Sequence, residues 1–180
     1  MDSYGEPIPL DTDPSGPLGK ALDELDRFDP VAAAEIRAAV EAGAYGVLVI
    51  AGGQGAVGAE LGGGGICIVV EKRTTHEIAT TLVHEWEHAR RRAGYDDNVP
   101  NSPAEEIDPC SHTVAVAREL QVLSDILTYY YLETGTYVVD CEEIKRAQSN
   151  CYTYTAECEA AGGTPAASCD TPFLDPARCP

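Results

Sequence analysis

The chain has 180 residues, 44% of them hydrophobic and 23% charged, ordinary proportions for one globular domain with its own core. Its 12 basic and 30 acidic residues leave a formal charge of -18. Such a surface repels nucleic acid and anionic lipid, and the longest apolar runs are too short to cross a bilayer.

Residues 1–17 are acidic and hold four of the 12 prolines, which predicts an extended lead-in. The opening stretch has neither a basic n-region nor an apolar h-region. Apolar residues at 18, 21, 22, 25 and 28 have helical spacing. Asp29-Pro30 then reads as an N-cap followed by proline at the first helical position. That second helix should stop at Gly43.

Two short apolar runs follow, Val47–Ala51 and Ile66–Val70. They predict buried strands joined as a hairpin by the glycine-rich residues 52–65. Thr74 and Glu77 have the spacing of a capping box. The helix they open carries apolar residues at 3–4 spacing, Arg90-Arg91-Arg92 in its last turn and Gly94 at its end. Residues 95–110 form a polar loop. A second long helix is expected from about Ser111 to Glu133, ending before Gly135. Beyond it, 141–149 should be helical and the rest loops.

The motif that stands out is His84-Glu85-Trp86-Glu87-His88, an H-E-x-x-H match in the middle of the first long helix. Spacing of i and i+4 puts both imidazoles on one face, one turn apart. Two nitrogens so placed can reach one Zn²⁺ at about 2.0–2.1 Å. Glu85 adjoins the first ligand and can take a proton from water activated by that ion. The bland alternative is a solvated helix face that happens to hold two histidines.

Val83–Ala89 on a helix after a short strand resembles the zincin superfamily of metallopeptidases. The resemblance covers about residues 66–133. It implies an α+β fold, with a small β-sheet packed on an active-site helix and a second long helix. It also implies zinc, a peptide or protein substrate, and hydrolysis with Glu85 as general base. In zincins the strand before the active-site helix holds the extended substrate by edge pairing, a role that would fall to Ile66–Val70. Three segments are expected: a lead-in at 1–17, the zincin-like domain at 18–139, and a cysteine-rich tail at 140–180 packed on it.

Zinc needs a third protein ligand and an open position. The metzincin pattern fails, because His88 is followed by Ala89-Arg90-Arg91-Arg92-Ala93-Gly94-Tyr95. The gluzincin-like alternative takes a Glu from the next helix. Candidates are Glu105, Glu106, Asp108, His112 and Glu119. At 100° per residue, Glu119 shares one face with His112, Ala115, Val116, Leu123, Ile126, Leu127 and Tyr130. A carboxylate in that apolar stripe needs a counter-charge, which favours Glu119, with His112 as the alternative. His112 could instead cap the helix. Tyr130, His112, Tyr95 and Tyr137 are candidate donors to an oxyanion.

Gly53–Gly58 matches G-x-G-x-x-G, but a dinucleotide site needs a helix to start there, and Gly62–Gly65 cannot hold one. The stretch reads as a loop or a flap over the cleft. Seven cysteines stand at 67, 110, 141, 151, 158, 169 and 179. With no C-x-x-C pair, disulfides are the better reading, and Cys110 is the natural partner for a tail cysteine. Cys67 is expected to stay reduced. The tail favours a secreted or exported protein; the missing signal pulls the other way. The rival readings are a protease effector delivered to another cell and a non-catalytic secreted zinc-containing binding module.

Overall fold

The structure, a computed structural model, describes residues 15–42, 46–50, 58–60, 65–92, 110–166 and 169. The chain divides into two compact units, Met1–Ala89 and Arg90–Pro180. The boundary expected at 139/140 lies inside the second unit.

In the first unit, α1 (Pro17–Phe28) and α2 (Pro30–Glu41) pack on each other. Leu18, Ala21 and Leu25 of α1 are buried, as are Ala32, Ala33 and Ile36 of α2. Asp29 makes the corner between them. Its N–H donates to the Leu25 carbonyl at 2.7 Å, closing α1. Its side chain accepts from the Ala32 N–H at 3.2 Å, opening α2, a cap worth about 1 kcal/mol. Pro30 follows as expected. Gly43 lies outside the described residues.

Three short strands come next: β1 (Gly46–Ile50), β2 (Gly58–Glu60) and β3 (Gly65–Val69), in the order β1-β3-β2. β1 runs parallel to β3, in register Gly46 with Gly65 through Ile50 with Val69. β2 runs antiparallel to β3. The hairpin expected between the two apolar runs is therefore corrected. The intervening segment spends residues 58–60 on a strand of its own, which pairs back on β3, and β1 takes the other flank. Apolar runs specify burial, not strand direction.

β3 passes into α3 (Thr75–Arg92) through a tight turn. The Arg73 N–H donates to the Val70 carbonyl at 3.3 Å, and Lys72 has φ 60°, a left-handed conformation that costs a non-glycine residue about 1 kcal/mol. The Arg73 guanidinium then staples strand to helix. It donates to the Val69 carbonyl at 3.3 Å, the Glu77 carbonyl at 2.7 Å and Thr81 Oγ1 at 2.8 Å. The capping box forms as the spacing predicts. Thr74 N–H donates to Glu77 Oε2 at 2.7 Å, and Glu77 N–H to Thr74 Oγ1 at 3.2 Å.

The second unit is built on α4 (Ser111–Thr134) and α5 (Cys141–Ala160), which pack together. They run antiparallel: position 110 meets 158, 112 meets 154, and 119 meets 146. α4 ends at Gly135, whose φ of 73° lets its N–H reach the Tyr131 carbonyl. α5 begins on Asp140, whose side chain accepts from the Glu142 N–H at 2.9 Å. It ends in a Schellman motif, with Gly162 N–H on the Glu159 carbonyl and Gly163 N–H on the Cys158 carbonyl, both at 2.9 Å. Gly162 supplies the positive φ (79°). Gly163 is needed for a different reason: a Cβ there would run into Cys110 Sγ.

Disulfides join Cys110 to Cys158 and Cys151 to Cys169, across 48 and 18 residues. By chain entropy these are worth about 4 and 3 kcal/mol. Cys110 thus pairs with a tail cysteine, as expected. Cys141 is disulfide-bonded too.

The α+β zincin-like fold expected from the sequence is overturned. Helices of 12, 12, 18, 24 and 20 residues dominate the described chain, against strands of five, three and five. The tail was expected to be loops beyond 149, but it is helical to Ala160. Among the described residues, no helix is long and apolar enough to cross a membrane.

Candidate functional site

α3 is buried nearly all round from Glu77 to Ala89. A helix so enclosed is ordinarily apolar throughout, and much of this one is: Ile78, Ala79, Leu82, Val83 and Ala89 are all core. Yet Glu85, Glu87 and His88 are also buried, at 8%, 4% and 7% relative exposure. His84 is half-buried. Burying so many titratable groups within one and a half turns is costly unless they are paired or hold an ion.

The two motif imidazoles converge. His84 Nε2 and His88 Nε2 lie 3.2 Å apart, with ring centroids 5.0 Å apart and ring planes inclined at 60°. A tetrahedral zinc with bonds of about 2.0–2.1 Å would hold two ligand nitrogens about 3.3–3.4 Å apart. The same separation suits one N–H···N hydrogen bond in which the second ring is neutral. In either case the two Nε2 atoms face each other across 3.2 Å, as the i, i+4 spacing allows. The pair fits two zinc ligands.

The helix that carries them is fixed from two sides within its unit. Trp86, inside the motif, donates its indole N–H to Glu35 Oε2 of α2 at 3.0 Å. His76, two turns before His84, meets Glu24 of α1 through Nδ1 at 2.8 Å. These contacts, with Arg73 and the capping box, set the rotation of α3 about its axis.

Glu119 lies in the second unit and is 2% exposed, so the phasing of the α4 stripe is right and a surface role is excluded. Its counter-charge there is one the sequence reading did not identify. Arg146 of α5 donates to Glu119 Oε1 at 3.0 Å and also engages both oxygens of Glu143. Burial works against the Arg146 cation. The Glu143 hydrogen bond and the charges of Glu119 and Glu143 outweigh it and hold the pKa above the ordinary arginine range. The missed signal was Arg146 beside Ile144 and Ala147, an arginine at the margin of a buried stripe.

His112 is half-buried and stacks on Tyr154, with centroids 4.7 Å apart and planes at 24°. It does not cap α4: the N-cap is Cys110, without a side-chain cap. Tyr130 packs edge-on against Tyr129, and Tyr137 lies tilted against Tyr131. Tyr95, Glu105, Glu106, Asp108 and most of the glycine-rich loop lie outside the described residues. Among the described residues, no group of three or more His, Cys, Asp or Glu side chains is gathered as a metal site requires.

The edge role suggested for Ile66–Val70 is corrected. β3 is the central strand, and residues 66–68 are paired on both sides, to 47–49 of β1 and 58–60 of β2.

No protein-family model, curated protein or solved structure matches the chain.

Proposed function

We propose that the chain is a zinc-dependent peptidase in which His84 and His88 supply two ligands and Glu85 is the general base. The 3.2 Å approach of the two Nε2 atoms carries this reading. The reading rests on the motif residues and not on the fold. The counter-charge that Glu119 needs is supplied by Arg146, so no third ligand is assigned. The ion, when bound, supplies the Lewis acidity that makes water a nucleophile near neutral pH.

The chain's own part follows from its residues. The histidine pair brings two ring nitrogens to 3.2 Å of each other. The Glu85 carboxylate accepts a proton from the attacking water. It returns that proton to the amine nitrogen as the C–N bond breaks. The buried setting of Glu85 excludes bulk water and strengthens its electrostatic interactions.

That same burial favours a second reading, a closed zinc site in a non-catalytic binding module. Metal analysis and peptide cleavage separate the two. A zinc peptidase holds one equivalent of zinc; Glu85→Gln keeps the metal and loses about 10²–10⁴-fold in cleavage rate. His88→Ala loses both. A protein with bound zinc but no cleavage, unchanged by Glu85→Gln, belongs to the second reading. No zinc uptake at all ends both. Zinc content of Glu119→Ala and His112→Ala, measured side by side, tests the two residues that the sequence singled out.

A further inference from the structure

We propose that the C-terminal end of α4 is a docking surface for a basic polypeptide segment with apolar residues between its cations. An arginine or lysine of that partner seats on Tyr129 between Asp125 and Glu133, and an apolar neighbour covers Leu132.

α4 outreaches the helix it packs on. The antiparallel register, 110 with 158, 112 with 154 and 119 with 146, brings Cys141, the first residue of α5, level with about residue 124 of α4. α4 runs on to Thr134. Its core face is still covered at Ile126 and Leu127, both at 0% exposure. From Tyr129 to Thr136 every residue except the half-buried Tyr130 is exposed. Among the described residues, five large hydrophobic side chains are exposed, and three of them fall on this one turn: Tyr129 at 40%, Tyr131 at 44% and Leu132 at 77%. Packing within the unit accounts for the buried face of α4 and for none of these three. Tyrosines beside an apolar side chain at a protruding helix end are what a binding surface presents, because their rings give large contact area at low entropic cost.

The chemistry of the partner follows from charge. Tyr129 stands four residues from both Asp125 and Glu133 and three from Leu132, so all four share one side of the helix, with neighbours about 5–6 Å apart. Gln121 donates to Asp125 Oδ2 at 2.9 Å and holds that carboxylate along the same side. α4 has no basic residue in its last turn, and a helix C-terminus itself carries partial negative charge. The Tyr129 ring thus presents its negative face between two carboxylates, and a cation placed there is attracted by all three groups. An acidic partner is repelled. So is a second copy of the chain, which brings the same turn and a formal charge of -18. A bare cation would answer the acids but leave Leu132 in water. A segment that alternates cations with apolar side chains answers both.

This inference does not depend on zinc. The test uses the folded full chain with its disulfides intact and a fluorescein-labelled octapeptide of alternating arginine and leucine, followed by fluorescence anisotropy in about 0.15 M salt. Two further probes, the same peptide with glutamate for arginine and octa-arginine, separate charge from apolar contact. The arginine–leucine peptide should bind, the glutamate–leucine peptide should not, and octa-arginine should bind more weakly. Tyr129→Ser with Leu132→Ser should weaken binding about tenfold or more. Asp125→Asn with Glu133→Gln should weaken it and flatten its dependence on salt. Tyr152→Ser, at an exposed tyrosine of α5, should leave it unchanged. None of the substituted side chains is buried, and the denaturation midpoint checks that the fold is kept. Failure of the arginine–leucine peptide to bind overturns the proposal, as does equal affinity for octa-arginine or wild-type affinity in the Tyr129/Leu132 double variant. Dimerisation of the wild type that Leu132→Ser abolishes, measured by sedimentation, also overturns it, because the occupant is then a second copy.

Discussion

α3 and α5 are both long helices that carry charge into buried surroundings, and they are held by opposite means. α3 is buried on almost every side from Glu77 to Ala89 and fixed by non-covalent contacts: the capping box, Arg73, and the Trp86 bond to Glu35. α5 presents a thin stripe, half of it cystine, and is fastened covalently at Cys141, Cys151 and Cys158. The buried carboxylate of the second unit is met by an arginine from the neighbouring helix. On α3, two imidazoles converge on each other among buried glutamates. A buried charge matched by an arginine needs no ligand to account for it. Two imidazole nitrogens 3.2 Å apart have the spacing of a hydrogen bond or of two ligands to one ion.

The contrast can be pressed experimentally, starting where the effect is largest. Arg146→Met keeps side-chain length but leaves Glu119 without its guanidinium. It should destabilise the second unit by about 2–4 kcal/mol, less than for a fully enclosed pair because the Arg146 side chain is 28% exposed. Chemical denaturation under oxidising conditions measures it, and a loss below about half a kcal/mol would show that the stripe tolerates the bare acid. The charge of Arg146 itself introduces no pH dependence in the working range. Its contribution is present below the ordinary arginine pKa and disappears only as pH rises through the raised folded value.

Gly163→Ala puts a methyl group into Cys110 Sγ, so the chain must shift at the disulfide. A cost of about 1–3 kcal/mol is expected, while Gly162→Ala is strained by its positive φ instead. The two differ in one readout: only the Gly163 change should alter the rate at which Cys110–Cys158 is reduced. The smallest effect belongs to α3. Thr74→Ala removes one half of its capping box and should cost about 1 kcal/mol. Denaturation followed by Trp86 fluorescence reports it, and an unchanged midpoint would mean that enclosure alone sets α3.

Local chemistry was readable from the residues. Asp29-Pro30, Thr74 with Glu77, and Gly135 each close or open a helix as their side chains or backbone freedom dictate. The phasing of α4 was readable too, because its apolar stripe is dense. Three features were hidden. The course of α5 beyond Ser149 carries no apolar period, since cystines take the place of leucines. The parallel β1–β3 pairing depends on Gly58-Ala59-Glu60 forming β2, a tripeptide with no hydrophobic signature. Arg146 could not be assigned to Glu119 from spacing, because the two lie 27 residues apart on separate helices. At the motif, spacing placed the two rings correctly, while the ligand count rests on residues that no periodicity brings together.

β3 occupies the middle of its trio, and this has a bearing on any visiting polypeptide. A guest that joins by main-chain hydrogen bonds has no vacant flank along residues 66–68, and among the described residues the outer strands of the sheet are β1 and β2. Its lane is displaced by about 4.8 Å, one inter-strand spacing, from where a strand-before-helix template would put it. Beside β1 it would follow a five-residue track, and beside β2 one of only three. The longer track offers more main-chain grip, so residues 46–50 are the place to seek cross-links from an extended peptide probe.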